Sequence, residues 1–332
     1  MKKVMVIATL CFAVLLTGCS NVIPEAEQAE EERTWDTAPV VQTAEDDFAV
    51  DDANSAPFEN RYYFNKLHEQ QQTQYRVLYT ALMTHSDLAN YAGDYEDSMQ
   101  TVARALLLDC PEIFYAATGG QYESDGSSTN YRISYLRDAN QMYEWRPVIE
   151  QQIEQALDAV AAQAGLDPAS INATRTLAGS VIGAPAALDG YTARQVAWGL
   201  NEYLAGHISY DWDAAEVSDD EFYANYFDSN TVYGALVNGV AMCGGYAQAY
   251  AYLCYQLGIP CVYVEGDVHA PDFEGAHAWD MVQVDGAWGN VDPTWSDDEQ
   301  GIGLRDDYFL TSDAIHNEYV TELYVPFEIP SA

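Results

Sequence analysis

The chain has 332 residues, with 52 Asp or Glu against 13 Lys or Arg, and a formal net charge of −39 at pH 7. Acidity on this scale argues against a nucleic-acid-binding protein and against direct adhesion to anionic lipid, since both need clustered positive charge. The part that reads as globular is long enough for one large domain or two small ones.

The chain starts "MKKVMVIATLCFAVLLTGCS". Lys2 and Lys3 precede an apolar run over residues 4–16 that is too short for a comfortable membrane span. The run ends in "LTGC", which resembles a bacterial lipoprotein signal. That resemblance implies a signal peptide over 1–18, a cut before Cys19, and lipid on the Cys19 thiol. The mature chain would sit lipid-anchored on the extracytoplasmic face of a bacterial cell membrane, on the bilayer and not through it. Residues 19–60 include "EAEQAEEERTWDTAP" and "TAEDDFAVDDANSAP". They hold too few large apolar side chains to offset chain entropy and read as an acidic disordered tether.

A helix is expected over 64–85, with Phe64, Leu67, Val77, Leu78, Ala81 and Leu82 as its apolar side. A second helix should stop before Pro111. "IFYAATGG" and "TNYRISYL" read as strands around a Gly/Ser-rich turn. A long helix follows Pro147, with Val148, Ile149, Ile153, Leu157 and Val160 on one stripe and Gly165 as its stop. Together these predict a helical and hairpin subdomain over 61–165.

A Pro/Gly/Ser/Ala connector leads to a helix over 193–206, and then to the acidic loop "HISYDWDAAEVSDDEFYANYFDSN". Next comes "CGGYAQAYAYLCYQLGIP", with Ala247, Tyr250, Ala251, Cys254 and Leu257 at helical spacing. Gly258 and Pro260 end that helix, and "CVYVEG" reads as a strand. Cys243 therefore falls at a helix N-terminus, where unpaired N–H groups and the positive end of the dipole favour thiolate. Gly244 and Gly245 are expected to leave room for a substrate carbonyl. Taken alone, Cys243 reads more readily as a buried structural cysteine, since free Cys is usually core.

"GAHAWDMVQVDGAWGNVDPTW" supplies partners for it. Asp285-Gly286 is a strong signal for a two-residue type I′ turn. Val284 then pairs with Ala287, and Trp279 lies opposite Asp292. Side chains alternate faces, so His277, Trp279 and Asp292 share one face, with His277 and Asp292 diagonal neighbours. Asp280 points to the other face. A thiol at a helix start, a His and a register-matched carboxylate constitute a nucleophile, a base and an orienter.

These residues resemble the transglutaminase-like superfamily over about residues 233–295. Its members carry a catalytic Cys at a helix start before Gly-Tyr-Ala, a His in "HAW" and an Asp in a "V-D-x-T-W" run. The matching positions are Cys243, His277 and Asp292. "YDWD" at 210–213 also resembles the region before the Cys, and "LLLDCPEIFY" resembles companion segments of bacterial lipoproteins in this group. The resemblance implies an α+β fold with a papain-like, transglutaminase-like core over about 190–325. There the Cys helix packs on an antiparallel sheet carrying the His and the Asp. Two departures stand out. Asp280 occupies a position where the family often has Asn, with little effect expected on the triad. Gly289 replaces an aromatic, with looser packing expected.

The reading is then a cysteine-dependent enzyme acting on a peptide or protein carboxamide, with no cofactor and no metal. Hydrolysis is favoured over amine-accepting crosslinking. A non-catalytic binding module on the same fold is the remaining alternative. The Cys/His/Asp set matches acyl-transfer motifs better than an open zinc site. Of the cysteines beyond the leader and Cys19, namely Cys110, Cys243, Cys254 and Cys261, none is in a CxxC pair. A Cys254–Cys261 bridge stays open, because sequence does not set geometry. His207 and His269 are the remaining histidines near these motifs; His269 is expected in a loop at the rim of the site, where a solvated side chain is favoured over substrate contact.

Overall fold

The computed structural model describes residues 4–6, 40–42, 58–91, 99–115, 119–124, 129–135, 139–169, 190–218, 221–270, 273–297, 306–312, 319–323 and 327–332. Cys19, most of the expected leader and tether, and the connector at 170–189 lie outside the described residues. The chain divides into two units. One takes residues 1–55, 63–107 and 115–143, and the other takes 56–62, 108–114 and 144–332.

The first unit holds a five-stranded sheet in the order β1-β4-β5-β3-β2. Its strands are β1 (Val4–Val6), β2 (Val40–Gln42), β3 (Asp87–Tyr91), β4 (Gly119–Ser124) and β5 (Thr129–Ser134). The edge strands come from segments expected as leader and tether. β2 pairs in parallel with β3, Val40 opposite Asp87, where two β-branched residues interrupt an otherwise acidic tract. β1 pairs with β4, and a cut before Cys19 would remove it. Helix α1 (Glu69–Thr84) is opened by a capping box between His68 and Gln71 and closed by His85 at φ 53°. The expected residues Phe64, Leu67, Val77, Leu78, Ala81 and Leu82 are all buried. Helix α2 (Gln100–Asp109) ends just before Pro111, as the proline requires. "IFY" is not part of a strand. Residues Pro111–Ile113 form a 3₁₀ turn, whose apolar side chains are buried without strand pairing.

Helix α3 (Ala139–Gln163) starts well before Pro147 and carries that proline inside it. From Glu144 on it belongs to the second unit rather than to the expected 61–165 subdomain. Ile149, Ile153, Leu157 and Val160 are buried. Val160 packs so closely on α4 (Gly190–His207) that a Cβ on Gly199 would meet its Cγ1 at 3.0 Å. Val148, expected on the stripe, is 38 % exposed. The expected acidic loop contains strand β6 (Ser209–Tyr210) and a short helix α5 (Trp212–Glu216), which Asp211 caps. Parallel pairing joins β6 to β7 (Val240–Ala241).

Helix α6 (Cys243–Gln256) is the centre of this unit and is buried along most of its length. The Tyr250 hydroxyl donates to the Ala197 carbonyl on α4 at 3.0 Å, and that of Tyr246 donates to the Ile208 carbonyl at 2.8 Å. Alongside α6 lies the second five-stranded sheet, in the order β11-β10-β9-β8-β12. It comprises β8 (Cys261–Ala270), β9 (Phe273–Val284), β10 (Ala287–Val291), β11 (Phe309–Thr311) and β12 (Tyr319–Leu323), with the short helix α7 (Pro293–Ser296) after β10. Strand β8 is longer than "CVYVEG" and carries His269 opposite Glu274 on β9. That His is therefore on a strand, not in a loop. Asp285 and Gly286 take φ of 53° and 79°, the two positive values a type I′ turn demands. The ladder runs from Ala287 opposite Val284 to Val291 opposite Asp280, the register expected from counting. Gly289 does not loosen the packing. It is buried, and a Cβ there would approach Leu310 Cα at 2.8 Å, so its bareness admits β11.

Candidate active site

Met242 is extended, at φ −88° and ψ 178°, and the chain turns into α6 at the next residue. The Met242 N–H donates to the Ser229 carbonyl at 2.7 Å, and the first helical bond runs from Tyr246 N–H to the Met242 carbonyl. Cys243 is thus the first helical residue, and its side chain is buried. The two glycines behind it do not hold space for a substrate. A Cβ on Gly244 would overlap Asn230 Oδ1, and one on Gly245 would lie 2.7 Å from the Ser229 carbonyl oxygen. The turn at residues 229–231 fills the expected gap, because it seats on the first turn of the helix.

His277 and Asp292 meet across the hairpin. His277 Nε2–H donates to Asp292 Oδ2 at 2.7 Å, and both side chains are buried, at 3 % and 1 % exposure. The carboxylate only accepts, so the Nε2 tautomer is set. The second Asp292 oxygen is also committed: Oδ1 accepts the Trp295 N–H at 3.0 Å and caps α7. The Trp295 ring stacks on the imidazole, with centroids 4.6 Å apart and planes within 19°. Cys243 lies close enough to the ring to interact with it and raises its pKa as well. Burial pushes the imidazole pKa down. The Asp292 charge and hydrogen bond, together with Cys243, outweigh it and raise the pKa to about 10.

A second buried chain of groups runs beside the thiol. The Tyr263 hydroxyl donates to Glu265 Oε1 at 2.7 Å. Burial, then the Glu265 charge, then that of Cys243 push the Tyr263 phenol well above its ordinary range. Asp280 lies away from His277, as the alternation requires, but it is fully buried. Cys261 Sγ–H points at its Oδ1 from 3.7 Å, and its Oδ2 has no hydrogen-bond partner among the described residues. Burial, then Cys254, then Asp292 push its pKa well above the carboxylate range, which favours the neutral acid. Cys254 and Cys261 are free thiols.

His207 and His269 stand apart from this constellation. His207 is exposed and stacks on Tyr203, and His269 faces Glu274 at 3.3 Å on the surface. Among the described residues no group of three or more His, Cys, Asp or Glu is arranged to hold a metal ion. The sequence reading missed three neighbours of the site. Trp295 stands in the quoted motif but had no role assigned. Tyr263 looked like one more β-former in "CVYVEG". Asn230 had no local signal.

Residues 189–293 match the family model of the Transglutaminase-like superfamily. The part of the chain that brings together Cys243, His277 and Asp292 is thus a transglutaminase-like domain with an α+β, papain-like core. Among curated proteins, the chain is 28 % identical over 127 residues to kyphoscoliosis peptidase of Mus musculus. That match covers 35 % of this chain and 17 % of the relative, so the chain spans only a small part of that protein's length. Among solved structures, a crystal structure of a TGase matches at 17 % identity and TM-score 0.28, covering 63 % of this chain and 50 % of that one. The periplasmic domain of TgpA from Pseudomonas aeruginosa matches at 17 % identity and TM-score 0.21, covering 53 % and 62 %.

Proposed function

We propose that this protein is a membrane-anchored, extracytoplasmic thiol enzyme. It transfers acyl groups from peptide or protein carboxamides through Cys243, His277 and Asp292, with water as the favoured acceptor. The observation that carries the reading is the buried His277–Asp292 hydrogen bond, with Cys243 beside the same imidazole at a helix N-terminus.

The chemistry follows from the placement. His277 takes the thiol proton, and a raised imidazole pKa favours the thiolate–imidazolium pair over the neutral one. The Cys243 sulfur attacks the carbonyl carbon, and the π pair moves to oxygen, next to the backbone N–H of Cys243 at the helix start. Collapse restores the carbonyl and expels the amine, which leaves with the proton from His277. The acyl group is then a thioester on Cys243. The neutral imidazole next takes a proton from water, and the resulting hydroxide releases the acid. Asp292 holds the ring in one tautomer throughout and offsets the imidazolium charge. The mouse relative is named a peptidase, which supports water as the acceptor. Lipid attachment at Cys19 would hold the enzyme on the membrane, and the "LTGC" motif supports it.

The test uses purified protein and a library of Gln-containing and other peptides, with and without a primary amine, read by mass spectrometry. Free acids or cleaved peptides that disappear in Cys243→Ala support hydrolysis. Amine adducts would move the acceptor to amines. No Cys243-dependent change in any peptide would leave a binding module and end the enzymatic reading.

A further inference from the structure

The imidazole of the candidate site carries an aromatic ring on one face, and that ring is itself held. Trp295 stacks on His277 with centroids 4.6 Å apart and planes within 19°, and the Tyr308 ring meets the Trp295 ring edge-on at 5.4 Å and 70°. Asp292 fixes the Trp295 backbone through Oδ1. A backbone bond alone leaves the indole its choice of side-chain rotamers, and α7, with Trp295 as its third residue, is only four residues long. Packing against the Tyr308 edge narrows that choice to the rotamer lying flat on the imidazole. Tyr308 holds the orienting residue as well: its carbonyl accepts the Asp292 N–H at 3.0 Å. One residue thus touches the Asp through its backbone and the ring on the base through its side chain.

The chain is strained beside Tyr308. A 3₁₀ turn over Asp306–Tyr308 ends there, and β11 starts at the next residue. Phe309 pairs with Val291 and Thr311 with Asn290, which leaves Leu310 as an extra residue between them, at φ 52°. A left-handed backbone is costly for leucine, and such strain persists only where the surroundings impose it. Here they do. The bare Gly289 admits the Leu310 backbone, and the Phe309 ring seats edge-on against Trp198 of α4 at 4.9 Å and 79°. With β11 clamped in this way, the residue opposite Asp292 is Tyr308.

We infer that Tyr308 is a positioning residue of this site, its ring holding Trp295 flat on the His277 imidazole and its carbonyl holding Asp292. This rests on the acyl-transfer reading above, in which the same imidazole takes the Cys243 proton and returns it to the leaving amine. The stack acts in two ways. The electron-rich indole face attracts imidazolium more than the neutral ring, so it favours the charged form. A ring kept in one orientation also transfers the proton without a search in each turnover. Tyr308 takes no part in the proton transfers, and its side chain acts on the base through Trp295.

The test reads His277 in the full chain through the Cys243 thiol. Alkylation of Cys243 by iodoacetamide, followed against pH, has a high-pH limb where the imidazolium partner loses its proton. The charged and titratable groups bearing on that ring are Asp292 and Cys243, and the Tyr308 and Trp295 variants keep both. Tyr308→Leu should lower the limb by about half to one pH unit. It should also cut kcat for 4-nitrophenyl acetate, whose deacylation needs the imidazole as base, by about tenfold with KM little changed. Tyr308→Met serves if the Leu variant does not fold. Tyr308→Phe keeps the ring edge and should match the wild type in both readouts. Trp295→Leu should show the same losses, and adding Tyr308→Leu to it should cost nothing more. An unmoved limb in Tyr308→Leu, even with a lower melting temperature, would make Tyr308 a structural support only and overturn the inference. Losses in Tyr308→Phe as large as in Tyr308→Leu would overturn the role of the ring. Losses that add to those of Trp295→Leu would overturn the path through Trp295. If turnover survives Cys243→Ala, the acyl-transfer reading fails instead, and the alkylation limb still decides whether Tyr308 holds the imidazole.

Discussion

At His277 burial and charge oppose each other, and charge wins. The folded pKa, about 10, lies above the ordinary value of 6.5. The stabilisation from the protonated ring is therefore complete below pH 6.5 and is lost as pH rises towards 10. The melting temperature of the wild type, measured against His277→Gln, should lose its advantage across that window. Asp292 and Asp280 make a sharper pair. Asn is as good an N-cap as Asp, so Asp292→Asn should keep the Trp295 cap and the fold. It replaces the acceptor of His277 Nε2–H, and in a comparable serine triad such a change costs about 10⁴-fold in kcat. Asp280→Asn should leave kcat nearly unchanged. The Asp280 pKa is raised in the folded state, so its burial opposes folding increasingly as pH rises above 3.8. The Asn variant should then melt higher than wild type at pH 7 and show little difference near pH 4. Equal losses of activity in the two folded variants would contradict the division of the faces. Among the thiols, Cys261 is pushed well above its ordinary range by burial, by hydrogen bonding with the Cys254 thiol and by Asp280. Cys243 stands at a helix start beside an imidazolium. Iodoacetamide near pH 6, read by peptide mass spectrometry, should label Cys243 before Cys261.

At the level of elements, two glycines do different work, and substitution separates them. Gly286 has nothing within 4 Å of a prospective Cβ but sits at φ 79°. Gly286→Ala should cost only the left-handed penalty, about 1–2 kcal/mol in denaturant unfolding, with kcat retained because the turn lies at the far end of the hairpin. Gly244→Ala has no such conformational penalty but collides with Asn230. It should lower kcat more than Gly286→Ala does, even where it unfolds no more easily. The same contrast explains what could be read from the sequence. The Asp-Gly turn and the two-residue period of the strands are local, so counting from Asp285 gave the facing of His277 and Asp292 without a structure. The role of Gly244 was misread as room for substrate, because the Asn230 side chain that fills the space comes from a separate turn. The helix through Pro147 was missed for a similar reason. Proline in a helix interior is disfavoured locally, and the buried stripe of α3 against α4 overrides that preference.

For the molecule as a whole, the lipoprotein motif makes a separate prediction. A Cys19→Ser variant expressed in a bacterial host should move from the detergent-extracted membrane fraction to the soluble or unprocessed one, with the wild type in the membrane. An unchanged distribution would remove the anchor from the proposal. Beyond position 3 the chain has a single lysine, Lys66, so the same preparation should give few self-linked multimers even where an external amine is incorporated. By itself, the sequence determined the helix start at Cys243, the hairpin register that aligns His277 with Asp292, and the acidity that argues against nucleic acid. Each depends on spacing within one segment, or on composition, and so survives without knowledge of the fold. Tertiary structure decided what surrounds those three side chains: Trp295 on the imidazole, the Tyr263 phenol near Cys243 and bonded to Glu265, a buried Asp280, and Asn230 against Gly244. Asn230, Tyr263 and Glu265 come from segments distant from the His277–Trp295 stretch, and the burial of Asp280 and the stacking of Trp295 depend on how α6, the 229–231 turn and the second sheet pack; packing between segments leaves no periodic mark in the chain.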